Sequence, residues 1–134
     1  MTTNGLLLDT HIWLWSLDEG ARQLGSRVRR RLAGATQLWL SPVSVWELAL
    51  LVERGRVTLD RPIVAWVTET LRDNPLRNAP FDREVALRSR DIGLDHDDPA
   101  DRFLAATAAV HDLTLVTADT RLLAGTGYRT LAPT

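Results

Sequence analysis

Two short apolar runs, each stopped by an aspartate, constrain this chain more than any other feature. Leu6-Leu7-Leu8 ends at Asp9, and Leu113-Thr114-Leu115-Val116 ends just before Thr117-Ala118-Asp119. Apolar runs this short, without polar alternation, read as strands buried on both faces, the kind found in parallel sheets. A parallel sheet needs helical crossovers, and the sequence supplies their signals. Ser41-Pro42 is an N-cap followed by proline at the first helical position, Asp98-Pro99 repeats the arrangement, and Asp82 can cap a helix after Phe81. Residues 37–40 read as a second strand, residues 77–79 as a third and residues 128–131 as a C-terminal edge strand. The stretch 54–62 connects two helices, with Asp60 or Arg61 near the cap of the second. The expected fold is α/β, a mostly parallel sheet covered by helices on both faces.

Composition narrows the chemistry. The 134 residues are expected to form one domain, 1–134. Cysteine is absent, which excludes thiol catalysis, disulfides and thiolate metal sites. All 16 basic residues are arginine, so P-loop phosphate binding and Schiff-base chemistry are excluded as well. No apolar stretch is long enough to span a membrane, and the N-terminus lacks the positive region of a signal peptide, so a cytoplasmic location is expected. The net charge of -1 offers no global attraction for nucleic acid, which leaves the local run Arg27, Arg29, Arg30 and Arg31 as the basic surface available for it. A solvated helix face explains that run equally well.

In an open parallel sheet, ligands bind outside the carboxyl ends of the strands, where strand order reverses. Asp9 and Asp119 sit at such ends. Right-handed crossovers bring helix N-termini to the same edge, and with them Asp98 and Asp101. Asp98 reads as a plain N-cap. Asp101 falls at about the third position of a helix whose apolar face is Ala100, Phe103, Leu104, Thr107 and Ala108, where the macrodipole alone favours an acid by about 0.3 to 1 kcal/mol. Asp9 and Asp119 can each serve as caps too. Glu47 is harder to place that way, being the only charge in Val45-Trp46-Glu47-Leu48-Ala49-Leu50-Leu51-Val52, a helix expected to be buried all round. Unpaired there, its carboxylate would cost several kcal/mol, so it must reach solvent, an arginine or a cation. Because helical side chains tilt toward the N-terminus, Glu47 can reach back toward Asp9. Two carboxylates about 5 Å apart repel by roughly 3 kcal/mol at an effective dielectric of about 20. A hard divalent ion such as Mg²⁺ relieves that repulsion and suits phosphodiester hydrolysis.

With these residues in order, the chain resembles the PIN-domain family, and more narrowly the VapC-type toxins of bacterial toxin–antitoxin pairs. The matching segments are residues 6–11, 41–49, 98–108 and 115–119, spread over nearly the whole length. The resemblance implies a three-layer α/β/α sandwich with a five-stranded parallel sheet and an endoribonuclease that depends on Mg²⁺ or Mn²⁺. It gives Asp9, Glu47, Asp101 and Asp119 the family's acidic positions, with Asp9 and Asp101 as direct metal ligands. Thr117 and Thr10 take supporting places. It further implies an RNA substrate, a homodimer and a small antitoxin that covers the site. The alternatives are an RNA-processing nuclease without an antitoxin and a non-catalytic PIN-like binding module. A phosphatase or phosphoacceptor reading fits less well, since the residue two after Asp9 is His11 and lysine is missing.

Trp13, Trp15, Trp39, Trp46 and Trp66 are expected mostly in the core, although Trp13 and Trp15 cannot share a helix face and one of them is free to anchor a partner. The three histidines show no i, i+4 pairing, so no zinc site is expected; His11, just past a strand end, is placed to approach substrate.

Overall fold

A computed structural model describes residues 5–18, 21–35 and 37–134; the first four residues, on which part of the N-terminal reading rests, lie outside that set. Five strands, β1 (Leu6–Leu8), β2 (Leu38–Leu40), β3 (Arg77–Asn78), β4 (Thr114–Val116) and β5 (Arg129–Leu131), pair in the order β3-β2-β1-β4-β5. Every pairing is parallel. The helices are α1 (Thr10–Ser16), α2 (Ser26–Gly34), α3 (Pro42–Glu53), α4 (Ile63–Asp73), α5 (Arg83–Arg88), α6 (Pro99–Val110) and α7 (Thr120–Ala124).

Strand β1 is the centre of the sheet, and all three of its leucines are buried. Their side chains alternate between faces, as strand geometry demands. Leu7 joins a core with Leu104, Ala105, Ala108, Leu115 and Leu122, whereas Leu6 and Leu8 join one with Ile12, Trp13, Val28, Leu32 and Leu48. Helices α6 and α7 therefore cover one face, and α1, α2 and α3 the other. Each fully buried leucine contributes about 1.5 to 3 kcal/mol, so two aliphatic layers around one strand carry most of the favourable energy of the fold.

Local signals explain where the helices begin. The Ser41 hydroxyl accepts from the Val43 N–H at 3.0 Å, the Asp82 carboxylate from that of Val85 at 3.0 Å and Asp98 from that of Asp101 at 3.2 Å. Gly55, at φ 69°, takes up the left-handed conformation just beyond the end of α3.

Two expectations hold and one is corrected. Helix α4 has Pro62 as its N-cap, with no side-chain cap bond, and Asp60 and Arg61 lie just ahead of it as expected; they pair with each other, and Arg61 with Glu69. Helix α3 is not buried all round, because only Val43, Ser44 and Leu48 are buried, Val45 and Val52 are half-buried against the core, and Trp46 is 53% exposed. The enclosed helix is α6, wedged against α3, α5 and β4, with eight buried positions that include Asp101 and Arg102. Among the tryptophans, Trp13 is buried edge-on against Trp66, Trp15, Trp39 and Trp66 are half-buried, and Trp46 is outside.

Candidate active site

Strand order reverses between β1 and β4, and the candidate site lies at that crevice. Asp9 leaves β1 with its backbone N–H bonded to the Val116 carbonyl at 3.0 Å, which holds the ends of β1 and β4 level. One oxygen of its carboxylate accepts from the Thr10 N–H at 2.7 Å. The other accepts from the Thr117 hydroxyl at 2.7 Å. Thr117 is fully buried, and its oxygen also accepts from the Asp119 N–H at 3.1 Å. A single threonine thus joins the acid after β1 to the acid after β4.

Glu47 enters from α3, where the Thr10 hydroxyl donates to its carboxylate at 2.5 Å. Asp101 enters from the first turn of α6 and pairs with the His96 ring Nε2 at 2.9 Å. The Arg121 guanidinium lies 3.4 Å from Asp119 and 3.6 Å from Asp101. One unbroken series of contacts therefore runs Glu47, Thr10, Asp9, Thr117, Asp119, Arg121, Asp101, His96. All four acids singled out in the sequence, and both threonines, are in it. His11 is exposed on α1 near Asp9, and its ring lies 6.0 Å from that of Trp15.

The electrostatics are those of crowded anions. Burial raises the Asp9 carboxyl above its ordinary value, a shift that the Thr117 hydroxyl and the Thr10 N–H oppose and nearby Asp119 reinforces. Burial pushes Glu47 up to about 7, with the Thr10 bond opposing and the charges of Asp9, Asp101 and Asp98 adding to it. Asp101 is raised by burial and by Asp98, Asp119 and Asp9, against the pull of His96. Asp119 departs from this pattern. Partial burial acts upward on it most strongly, but the combined Arg121 N–H and guanidinium outweigh burial and hold it low.

Among the described residues, no three Asp, Glu or His side chains already form a ligand set around one point. The donor chemistry nevertheless fits a hard divalent ion. All four acids offer oxygen, three are pushed toward protonation by burial and by the charge of neighbouring acids, and Arg121 is the only arginine in ion-pair contact with any of them among the described residues.

Sequence reading missed His96, Arg121 and Arg102. Their contacts depend on how the segment before α6 and the first turn of α7 fold back, and the only available signals were a histidine two residues before the Asp98 cap and an arginine two residues after Asp119.

An all-parallel α/β sheet with clustered carboxylates at its switch point defines the class of protein. The PIN domain model matches residues 6–126, and the chain belongs to the PIN-domain family. It is 36% identical over 125 residues to Ribonuclease VapC22 of Mycobacterium tuberculosis, covering 91% of each chain. Among solved structures it resembles a chain of FitAB bound to an IR36 DNA fragment, at 26% identity and a TM-score of 0.70, over 96% of this chain and 94% of that one. It shares its fold with a chain of VapBC2 from Rickettsia felis bound to a promoter DNA fragment, at 15% identity and a TM-score of 0.70, over 96% of this chain and 98% of that one. No helix among the described residues is long and apolar enough to cross a membrane.

Proposed function

We propose that this chain is a divalent-metal-dependent endoribonuclease, one PIN domain spanning 1–134, and the toxin of a toxin–antitoxin pair acting in the cytoplasm. The observation that carries this reading is the cluster of four acids at the switch point, three linked by Thr10 and Thr117 and the fourth, Asp101, joined through Arg121, in a chain 36% identical to a ribonuclease. The antitoxin partner is supported by likeness to chains of the FitAB and VapBC2 complexes. A small antitoxin covering the crevice would silence it, and the active form is a homodimer.

Asp9 and Asp101 are the direct ligands for Mg²⁺ or Mn²⁺, and Glu47 and Asp119 complete the set directly or through water. The bound ion supplies charge neutralisation at the phosphoryl oxygens and lowers the pKa of a water. The chain's own groups do the positioning. Thr117 fixes one oxygen of Asp9, and Thr10 orients Glu47, a carboxylate placed to orient an attacking water or accept its proton. Arg121 provides the positive charge nearest the acids, within reach of a phosphate oxygen brought to the crevice.

The test is RNA cleavage by the purified chain. Cleavage requires Mg²⁺ or Mn²⁺, and Asp9→Asn abolishes it while leaving the melting transition cooperative. Undiminished cleavage in excess EDTA refutes the metal mechanism. Arrest of growth on expression, relieved by a co-expressed small partner, separates toxin from processing nuclease.

A further inference from the structure

Residues 89–96, between α5 and α6, form no helix or strand, yet they are held firmly from α6. Arg102 is 6% exposed, and its guanidinium donates to four backbone carbonyls: from Nε to Ser89 at 2.7 Å, from Nη2 to Ile92 at 3.3 Å, and from Nη1 to Leu94 at 3.2 Å and His96 at 3.0 Å. Four of the five guanidinium N–H groups are thereby satisfied, which is what a buried arginine requires. A short bridge between Gly93 and Thr126 pins the same segment from the other side.

Helix α6 therefore grips His96 twice. Arg102 holds its carbonyl, and the preceding residue, Asp101, holds its ring. With Asp101 ionised, the carboxylate can only accept, so Nε2 carries the hydrogen and donates. The His96 side chain is 17% exposed and the Asp101 side chain 12%, whereas Arg121, the other cation near Asp101, is 58% exposed and shared with Asp119. His96 is the enclosed partner and Arg121 the solvent-exposed one. His96 and Arg121 reach the same oxygen of Asp101, at 2.9 and 3.6 Å; without the ring, the carboxylate is left to Arg121 alone, and that ion pair tightens where a cation would otherwise bind.

We propose that His96 is a positioning residue that holds the Asp101 carboxylate open for a divalent cation, and that Arg102 sets His96 in place. This rests on the reading of Asp101 as a metal ligand. Outer partners that orient ligands in this way change metal affinity about 10- to 100-fold when removed.

The experiment is calorimetric titration of Mn²⁺, without RNA, into the full chain and into its His96→Ala and His96→Gln variants, with a melting curve for each. His96→Ala weakens Mn²⁺ binding about 10-fold or more. His96→Gln, whose side-chain amide offers an N–H at the place of Nε2, recovers most of the affinity and serves as the deciding variant should the alanine variant fail to fold. A long-range ¹H–¹⁵N spectrum of the metal-free chain shows His96 as the Nε2–H tautomer. Equal Mn²⁺ affinity in all three proteins overturns the positioning role and leaves the metal reading standing, as does a glutamine variant as weak as the alanine one. Failure of the unaltered chain to bind Mn²⁺ overturns the metal reading and this inference with it.

Discussion

Replacing Glu47 by glutamine should stabilise the metal-free protein while destroying its activity, and only above a defined pH. The folded carboxyl titrates at about 7 against a reference of 4.5, with burial the main cause and the charges of Asp9, Asp101 and Asp98 adding to it. At full strength that displacement corresponds to about 3 kcal/mol. Partial exposure of the side chain screens it to about 1 to 2 kcal/mol. The sign follows from linkage. Below 4.5 the group is protonated in both folded and unfolded chains and costs nothing; from 4.5 to about 7 the unfolded chain releases the proton that the folded one keeps, so stability falls across that window and the loss is complete once the folded group ionises above about 7. Glutamine keeps an oxygen to accept from Thr10 but carries no charge. Urea unfolding in EDTA should therefore show equal stability for the two proteins near pH 4.5, and a glutamine variant more stable by about 1 to 2 kcal/mol at pH 8. A difference that does not vary with pH, or a variant less stable at pH 8, would refute the reasoning.

Four further outcomes are expected. Mg²⁺ should raise the melting temperature of the unaltered chain more at pH 8 than at pH 5.5, and Asp9→Asn should remove that effect, as calorimetric scans would show. Thr117→Val loses a hydrogen bond to ionised Asp9 and an acceptor for the Asp119 N–H, and should cost about 1.5 to 3 kcal/mol in urea unfolding. Arg102→Met strips four backbone carbonyls of their donor and should cost about 3 kcal/mol or more, read as a large fall in melting temperature. Trp46→Ser, at a position half open to solvent, should change monomer stability by no more than about 0.5 kcal/mol in dilute solution.

The strand ends were legible because burial on both faces leaves an uninterrupted apolar run, and the acid that stops the run is also the residue the switch point needs. Strand β3 gave little signal, since Arg77 and Asn78 both lie exposed at the sheet edge. The covered face of α3 was illegible for a different reason. A helix apolar on nearly every side has no preferred direction of its own, and its neighbours decide that Leu48 turns inward and Trp46 outward. The carboxylates could be placed at one edge by topology, but the groups that orient them could not. Thr10 reaches Glu47 across 37 positions and Thr117 reaches Asp9 across 108, and such pairs appear only when the chain is folded.

The bond between Thr117 and Asp9 also sets an order of events in synthesis. Asp9 and Glu47 are made within the first 47 residues, whereas Asp101 and Asp119 arrive with residues 101–119 of 134. Until β4 has been made and seated beside β1, Asp9 lacks the hydroxyl that orients it and the crevice has one wall. A chain interrupted before that point lacks Asp119 and with it the complete set of four acids. On the proposed function, the message being read is spared until that set of acids is complete.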